Sequence, residues 1–295
     1  MQFSRPPCPA LRPFVKSVWF SDEQAFGRGQ RPGRTSDRVS IEQSRRVARP
    51  PVSVGRELVL PTGGMHLVIR LSTPLRLFDG IDDPHGRTVG HTIVGGARAG
   101  FYVRDISKPV QSVGAQLYPG AAELLLGVPA EELAGRHTPL SELWGRAAEE
   151  LRERLLQTEP FADRLKLFEA ELAARLPRVR GVHPAVSQAL EGFALHADVR
   201  RIVEESGYSH RTFIALFRRA VGLTPKLYSR VLRFQEVLSR IAAMPDASSV
   251  EVALAAGYSD QPHFNREFRE FAGLPPGEYR RLSPAWSHHV PLHGA

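Results

Sequence analysis

The stretch Gly257–Arg281, GYSDQPHFNREFREFAGLPPGEYRR, repeats in outline one that lies fifty residues earlier, Gly207–Arg230, GYSHRTFIALFRRAVGLTPKLYSR. Phe213 answers to Phe264, Phe217 to Phe268, Gly222 to Gly273 and Tyr228 to Tyr279. In each copy the shared residues sit where a helix needs them. A polar cap comes first (Ser209; Ser259 or Asp260), then an apolar stripe, and glycine stands where a left-handed turn ends the helix. A shorter helix precedes each copy, capped by Asp198 in one case and by Ser249 in the other, and Gly207 and Gly257 make the turns between. The pattern is helix, glycine turn, helix, written twice.

Between the copies, Pro225–Met244 carries Leu227, Tyr228, Val231, Leu232, Phe234, Val237, Leu238 and Ile241, one face of an amphipathic helix that Pro225 begins and Pro245 ends. Twenty residues at about 1.5 Å each span about 30 Å, close to the roughly 34 Å between successive major-groove faces on one side of B-DNA. A helix of that length holds two reading helices at a groove spacing within one chain.

These residues resemble the C-terminal DNA-binding domain of the AraC/XylS family of transcription regulators, over about Val186–Pro284. GYSDQPHFNREFREFAGLPPGEYR is similar to that family's signature, and the resemblance implies two helix-turn-helix units joined by a long helix, bound to double-stranded DNA and acting on RNA polymerase. It implies that Arg211, Ile214 and Ala215 face bases from the first unit, and Gln261, Pro262, Asn265 and Arg266 from the second. Gln and Asn suit adenine, Arg suits guanine, and Ile214 offers apolar contact alone. Arg218, Arg219 and Arg269, with Ser209 and Ser259, are expected to hold phosphates.

The net charge of +8 gives no independent support, because residues 1–60 hold 11 basic and 5 acidic side chains and most of the excess. DNA binding must come from where individual residues point. The stretch Ser21–Val54 is rich in Arg, Gly, Ser and Pro and reads as a long basic loop. Short apolar runs follow at Glu57–Leu60, Met65–Leu71, Leu75–Phe78, His91–Val94, Phe101–Val103 and Val110–Leu117, and with Phe14–Phe20 they predict a compact β-barrel or sandwich. LPTGGMHLVIRL and VGAQLYPGAAELLLGVPAEEL, followed by PLSELWG, resemble the cupin-like companion domains of the same family, although Thr62 and His66 stand where an acidic residue is expected. Trp19, His66, Arg70 and Tyr102, with Trp144, are candidates to line a small-molecule effector pocket.

From Ala121 the period turns helical, with Ser141 a candidate cap. Ala147–Leu156 and Pro160–Leu176 form a hairpin suited either to a homodimer interface or to packing on the barrel. The expected fold is therefore α+β. A β-rich domain occupies 1–120, with the loop 21–54 in it, and a helical extension 121–176. A linker, PRVRGVHP, follows at 177–184, then the all-α double helix-turn-helix domain at 185–284 and a disordered tail at 285–295.

The lone Cys8 excludes an internal disulfide and a multi-cysteine metal site. The histidines, His66, His85 and His91 in the first half and His288, His289 and His293 in the tail, follow no ligand spacing. No phosphate loop, nucleophile elbow or HExxH is present. The expectations are no enzyme, no cofactor or metal, and, without a signal peptide or apolar span, a cytoplasmic location and no membrane partner. The alternative is a cupin-type protein that binds a metal or small molecule, fused to a DNA-binding domain.

Overall fold

A computed structural model describes residues 2–23, 55–177, 181–244, 247–282, 284 and 287–292. Most of the basic loop and the middle of the linker lie outside the described residues, as do Pro245 and His293.

The first half comprises β1 (Gln2–Arg5), β2 (Val15–Asp22), β3 (Arg56–Val59), β4 (Met65–Arg70), β5 (Leu75–Phe78), β6 (Arg87–Gly90), β7 (Thr92–Gly95), β8 (Tyr102–Asp105) and β9 (Gln111–Leu117). Then come α1 (Ala122–Leu126), α2 (Ala130–Leu133), β10 (His137–Pro139), α3 (Ser141–Trp144), α4 (Ala147–Gln157) and α5 (Phe161–Ala174). The strands form two antiparallel sheets, ordered β1-β2-β9-β4-β7-β10 and, with a strand from the chain's end described below, β11-β3-β8-β5-β6.

Alternation along the strands sorts the two faces of the first sheet. Val18 and Phe20 of β2, Leu67 and Ile69 of β4, and Val113, Ala115 and Leu117 of β9 are buried in the apolar core. Their neighbours Trp19, His66, Arg70, Ser112 and Gln116 face a cavity between the sheets instead. The main apolar core therefore lies outside the barrel, under the helices, and the barrel interior mixes polar with apolar side chains.

Leu151 and Leu155 of α4, with Leu165, Phe168 and Leu172 of α5, are fully buried in that core. Of the two uses foreseen for this hairpin, the apolar stripes serve packing on the barrel and leave those residues no face for a second copy. Ser141 is the first residue of α3 rather than its cap; Leu140 holds the cap position and makes no side-chain bond there.

The second half is helical: α6 (Pro184–Ala194), α7 (Val199–Glu205), α8 (His210–Val221), α9 (Pro225–Ala243), α10 (Ser249–Ala255), α11 (Gln261–Ala272) and α12 (Pro276–Leu282). The chain then returns to the barrel. β11 (His289–Leu292) pairs antiparallel with β3, Val290 opposite Leu58, and Val290 is wholly buried. The tail expected to be disordered is thus, where described, an edge strand of the second sheet. Apolar Val290 and the unpaired edge of β3 give it a place to dock.

The two halves share one packed interior. The turn at Gly63 (φ 71°) lies against Tyr228 and Val231 of α9, and Gly222, which ends α8, abuts Ala97 and the Ala130 carbonyl. No helix among the described residues is long and apolar enough to cross a membrane.

Candidate nucleic-acid interface

Both helix-turn-helix units are built from the same local devices. In the first, the Asp198 side chain accepts from the Arg200 amide at 2.7 Å, Gly207 turns with φ 72°, and Ser209 accepts from the Thr212 amide at 3.2 Å. In the second, Gly257 turns with φ 76° and Asp260 accepts from the His263 amide at 2.7 Å. Ser259 is thus not the cap; its hydroxyl donates to Asp260 at 3.0 Å. The cap of α10 is Ser248 rather than Ser249. Its hydroxyl and the Glu251 side chain form a reciprocal capping box, which only Ser248, three residues before Glu251, can complete.

Inside each unit the aromatic pairs repeat. The Phe217 and Tyr228 rings meet edge to face at 5.6 Å, as do those of Phe268 and Tyr279. Burying Phe213 and Phe217 on α8, and Phe264, Phe268 and Phe271 on α11, forces the opposite faces outward. On α8 the outward residues are Arg211, Ala215, Arg218 and Arg219, with Ile214 half-buried. On α11 they are Gln261, Pro262, Asn265, Arg266 and Arg269. All the base-facing candidates thus lie on the two second helices, on the side away from the core.

α9 joins the units. Its 19 residues span about 28 Å, and Tyr228, Val231, Phe234, Val237, Leu238 and Ile241 are buried along it. A polar network absent from the sequence reading fixes the second unit on this helix. The Glu267 carboxylate, 2% exposed, accepts from Arg230 Nε at 2.7 Å, from Arg233 Nη2 at 2.9 Å and from the Tyr258 hydroxyl at 2.7 Å. Burial works against the charge on Glu267, but these donors hold its pKa below the usual carboxylate range. The signal was present in the pairing of the copies, where Glu267 stands opposite Leu216: a charge at a position that the other copy makes apolar.

The two reading helices differ in their surroundings. Arg219 Nη2 lies 2.8 Å from Glu123 of α1, and Arg218 Nε 3.6 Å from Glu131 of α2. Two expected phosphate holders of the first unit thus face acidic residues of the N-terminal half. Among the described residues Arg266 and Arg269 on α11 have no such partner.

Trp19, His66, Arg70 and Tyr102 line one cavity of about 600 Å³ inside the barrel, and Leu232, Gln235, His288 and His289 close it from the C-terminal half. Trp144 lies elsewhere, beneath the Arg175 guanidinium at 4.0 Å. The cavity is shaped by small residues: a Cβ on Gly95 would overlap the His66 ring, and one on Gly114 the Trp19 ring. Burial, with Arg98 nearby, lowers the pKa of His66 to about 4 and that of His137 to about 2, so both are neutral at pH 7. No group of three or more His, Cys, Asp or Glu among the described residues is placed to hold a metal.

This arrangement defines a double helix-turn-helix domain attached to a β-barrel. Residues 202–282 match the family described as a helix-turn-helix domain, and residues 4–139 a domain of unknown function (DUF6597). The HTH-type transcriptional regulator MtrA of Neisseria gonorrhoeae is 29% identical over 84 residues, 28% of each chain. The melibiose operon regulatory protein of Escherichia coli (strain K12) is 28% identical over 102 residues, 33% of each chain. A structure of ToxT from Vibrio cholerae aligns over 78% of this chain and 94% of its own at 10% identity, with a TM-score of 0.43. The C-terminal domain is a helix-turn-helix domain. The chain spans about a third of the length of the curated relatives it matches.

Proposed function

We propose that the chain is a sequence-specific DNA-binding regulator of transcription that reads two sites with α8 and α11, and that its barrel is an effector-responsive sensor. The observation that carries the first part is the repeated burial pattern: two units turn the same aromatic residues inward and different polar residues outward, at the two ends of one rigid helix. Arg266 and Asn265 suit direct base readout in a major groove, and Arg211 supplies the first unit's polar contact. Arg218, Arg219 and Arg269 flank these positions and suit phosphate.

The second part rests on the cavity, which side chains of both halves enclose, so that an occupant touches the barrel and α9 together. Occupancy of promoter DNA, and contact with RNA polymerase there, is then what the N-terminal half governs. Binding measured by fluorescence anisotropy on mixed-sequence DNA tests the first part. The affinity falls with salt, and replacing Arg269 by Ala reduces the slope of log K against log salt by about one. Salt-independent binding, or no binding at low salt, contradicts it.

A further inference from the structure

The cavity wall carries an imbalance. Arg98 Nη2 donates to His137 Nδ1 at 3.0 Å, so the proton of that neutral imidazole sits on Nε2. His137 Nε2, Arg98 Nε and Arg70 Nε are all buried, and none has a hydrogen-bond partner. All three are donors. No carboxylate among the described residues pairs with Arg98, whereas Glu23 and Asp105 lie near enough to favour the Arg70 cation and Arg104 donates to buried Glu57 at 2.6 Å. The acidic residues on the wall, Glu23 and Asp105, accept from backbone amides of Val110 and Ser107. A buried guanidinium without a counter-ion and a buried donor without an acceptor each cost free energy. Arg98 also lies over the Tyr102 ring at 4.5 Å, which steadies the cation but supplies no negative charge. Trp19, Val68, Leu75 and Ile93 supply an apolar part of the wall.

We infer that the cavity binds an amphipathic organic anion, its acidic head on Arg98 and His137 and its apolar body against Trp19 and Ile93. An acceptor-only, negatively charged head supplies what Arg98 and His137 lack, and a neutral polyol does not. A volume of about 600 Å³ falls within the range of sites that enclose small ligands. This inference rests on the reading of the barrel as a sensor and is independent of DNA binding.

The test uses the full chain and four anions of differing head and body: 4-phenylbutyrate, octanoate, phenyl phosphate and naphthalene-2-sulfonate. Each is paired with its neutral alcohol or phenol, and binding is read by calorimetry and by the thermal midpoint. At least one anion is expected to bind and to raise the midpoint, its neutral counterpart at least about tenfold more weakly, as the loss of charge-assisted hydrogen bonds implies. Arg98→Gln is expected to weaken the anion and leave the alcohol unchanged. The comparison within the unmodified chain stands even if a variant does not fold. Equal binding of acid and alcohol overturns the anionic class while keeping a sensor cavity. Binding of neither overturns both, and the DNA titration of the ligand-free protein reports separately on the regulator reading.

Discussion

Glu267 and Leu216 hold the same place in the two helix-turn-helix units, yet one is a buried carboxylate joined to Arg230, Arg233 and Tyr258 and the other an apolar side chain. Removing the carboxylate takes the acceptor from Arg233 and the buried Tyr258 hydroxyl, while Arg230 keeps Glu270 at 2.5 Å. Glu267→Ala is therefore expected to cost about 3–5 kcal/mol, read by denaturant unfolding, with the damage concentrated in α10–α12. Buried histidines make a second prediction at this scale. The unfolded chain takes up protons near pH 6.5 that His66 and His137 refuse until about pH 4 and about pH 2. Stability contributed by their neutral forms is full above pH 6.5 and is lost as pH falls below it, by about 1.4 kcal/mol per pH unit for each histidine. Unfolding followed from pH 7 to pH 4 should show a shallower decline in His137→Gln than in the unmodified chain; an unchanged slope contradicts the assignment.

At the scale of the element, α8 and α11 are built alike but held differently, since Arg218 and Arg219 face Glu131 and Glu123 on α2 and α1. If Arg218 and Arg219 hold phosphate as proposed, DNA must displace those carboxylates from the first unit and none from the second. The double change Glu123→Gln and Glu131→Gln is expected to tighten DNA binding about two- to tenfold, the range that exposed ion pairs allow; anisotropy titration checks it, and unchanged affinity contradicts it. The helices were readable because glycine, proline and cap residues punctuate a strong 3.6-residue period. Adjacent Ser248 and Ser249 misled only by one residue, since the capping box rather than the serine decides. The short strands were less readable. β6 is largely exposed, β10 has three residues, and β11 finds its partner more than 200 residues upstream, a pairing that no local pattern encodes.

For the whole molecule, the expected boundaries separate two domains, but the apolar interior runs through both and the chain's end returns to the barrel. The candidate reading residues were legible because a repeat shows which positions vary on a common frame. Four cavity residues were legible from residue type and strand alternation, whereas Arg98, His137 and the closing residues of α9 and β11 were not, because tertiary packing alone brings them together. Deleting residues 287–295 uncovers the β3 edge and Leu58, and the buried Val290 alone implies a loss of about 1.5–3 kcal/mol. Thermal unfolding and a rise in aggregation should report it; an unchanged midpoint contradicts a structural role for β11. The claim on which all the rest depends is that one chain reads two sites. The measurement that tests it most directly is selection from a random DNA pool by the full chain and by Arg266→Ala. Two short motifs about one helical turn apart, with the variant relaxing only one of them by about 1–3 kcal/mol of discrimination, is the expected result; enrichment of a single motif, or of two motifs that Arg266→Ala leaves intact, contradicts it.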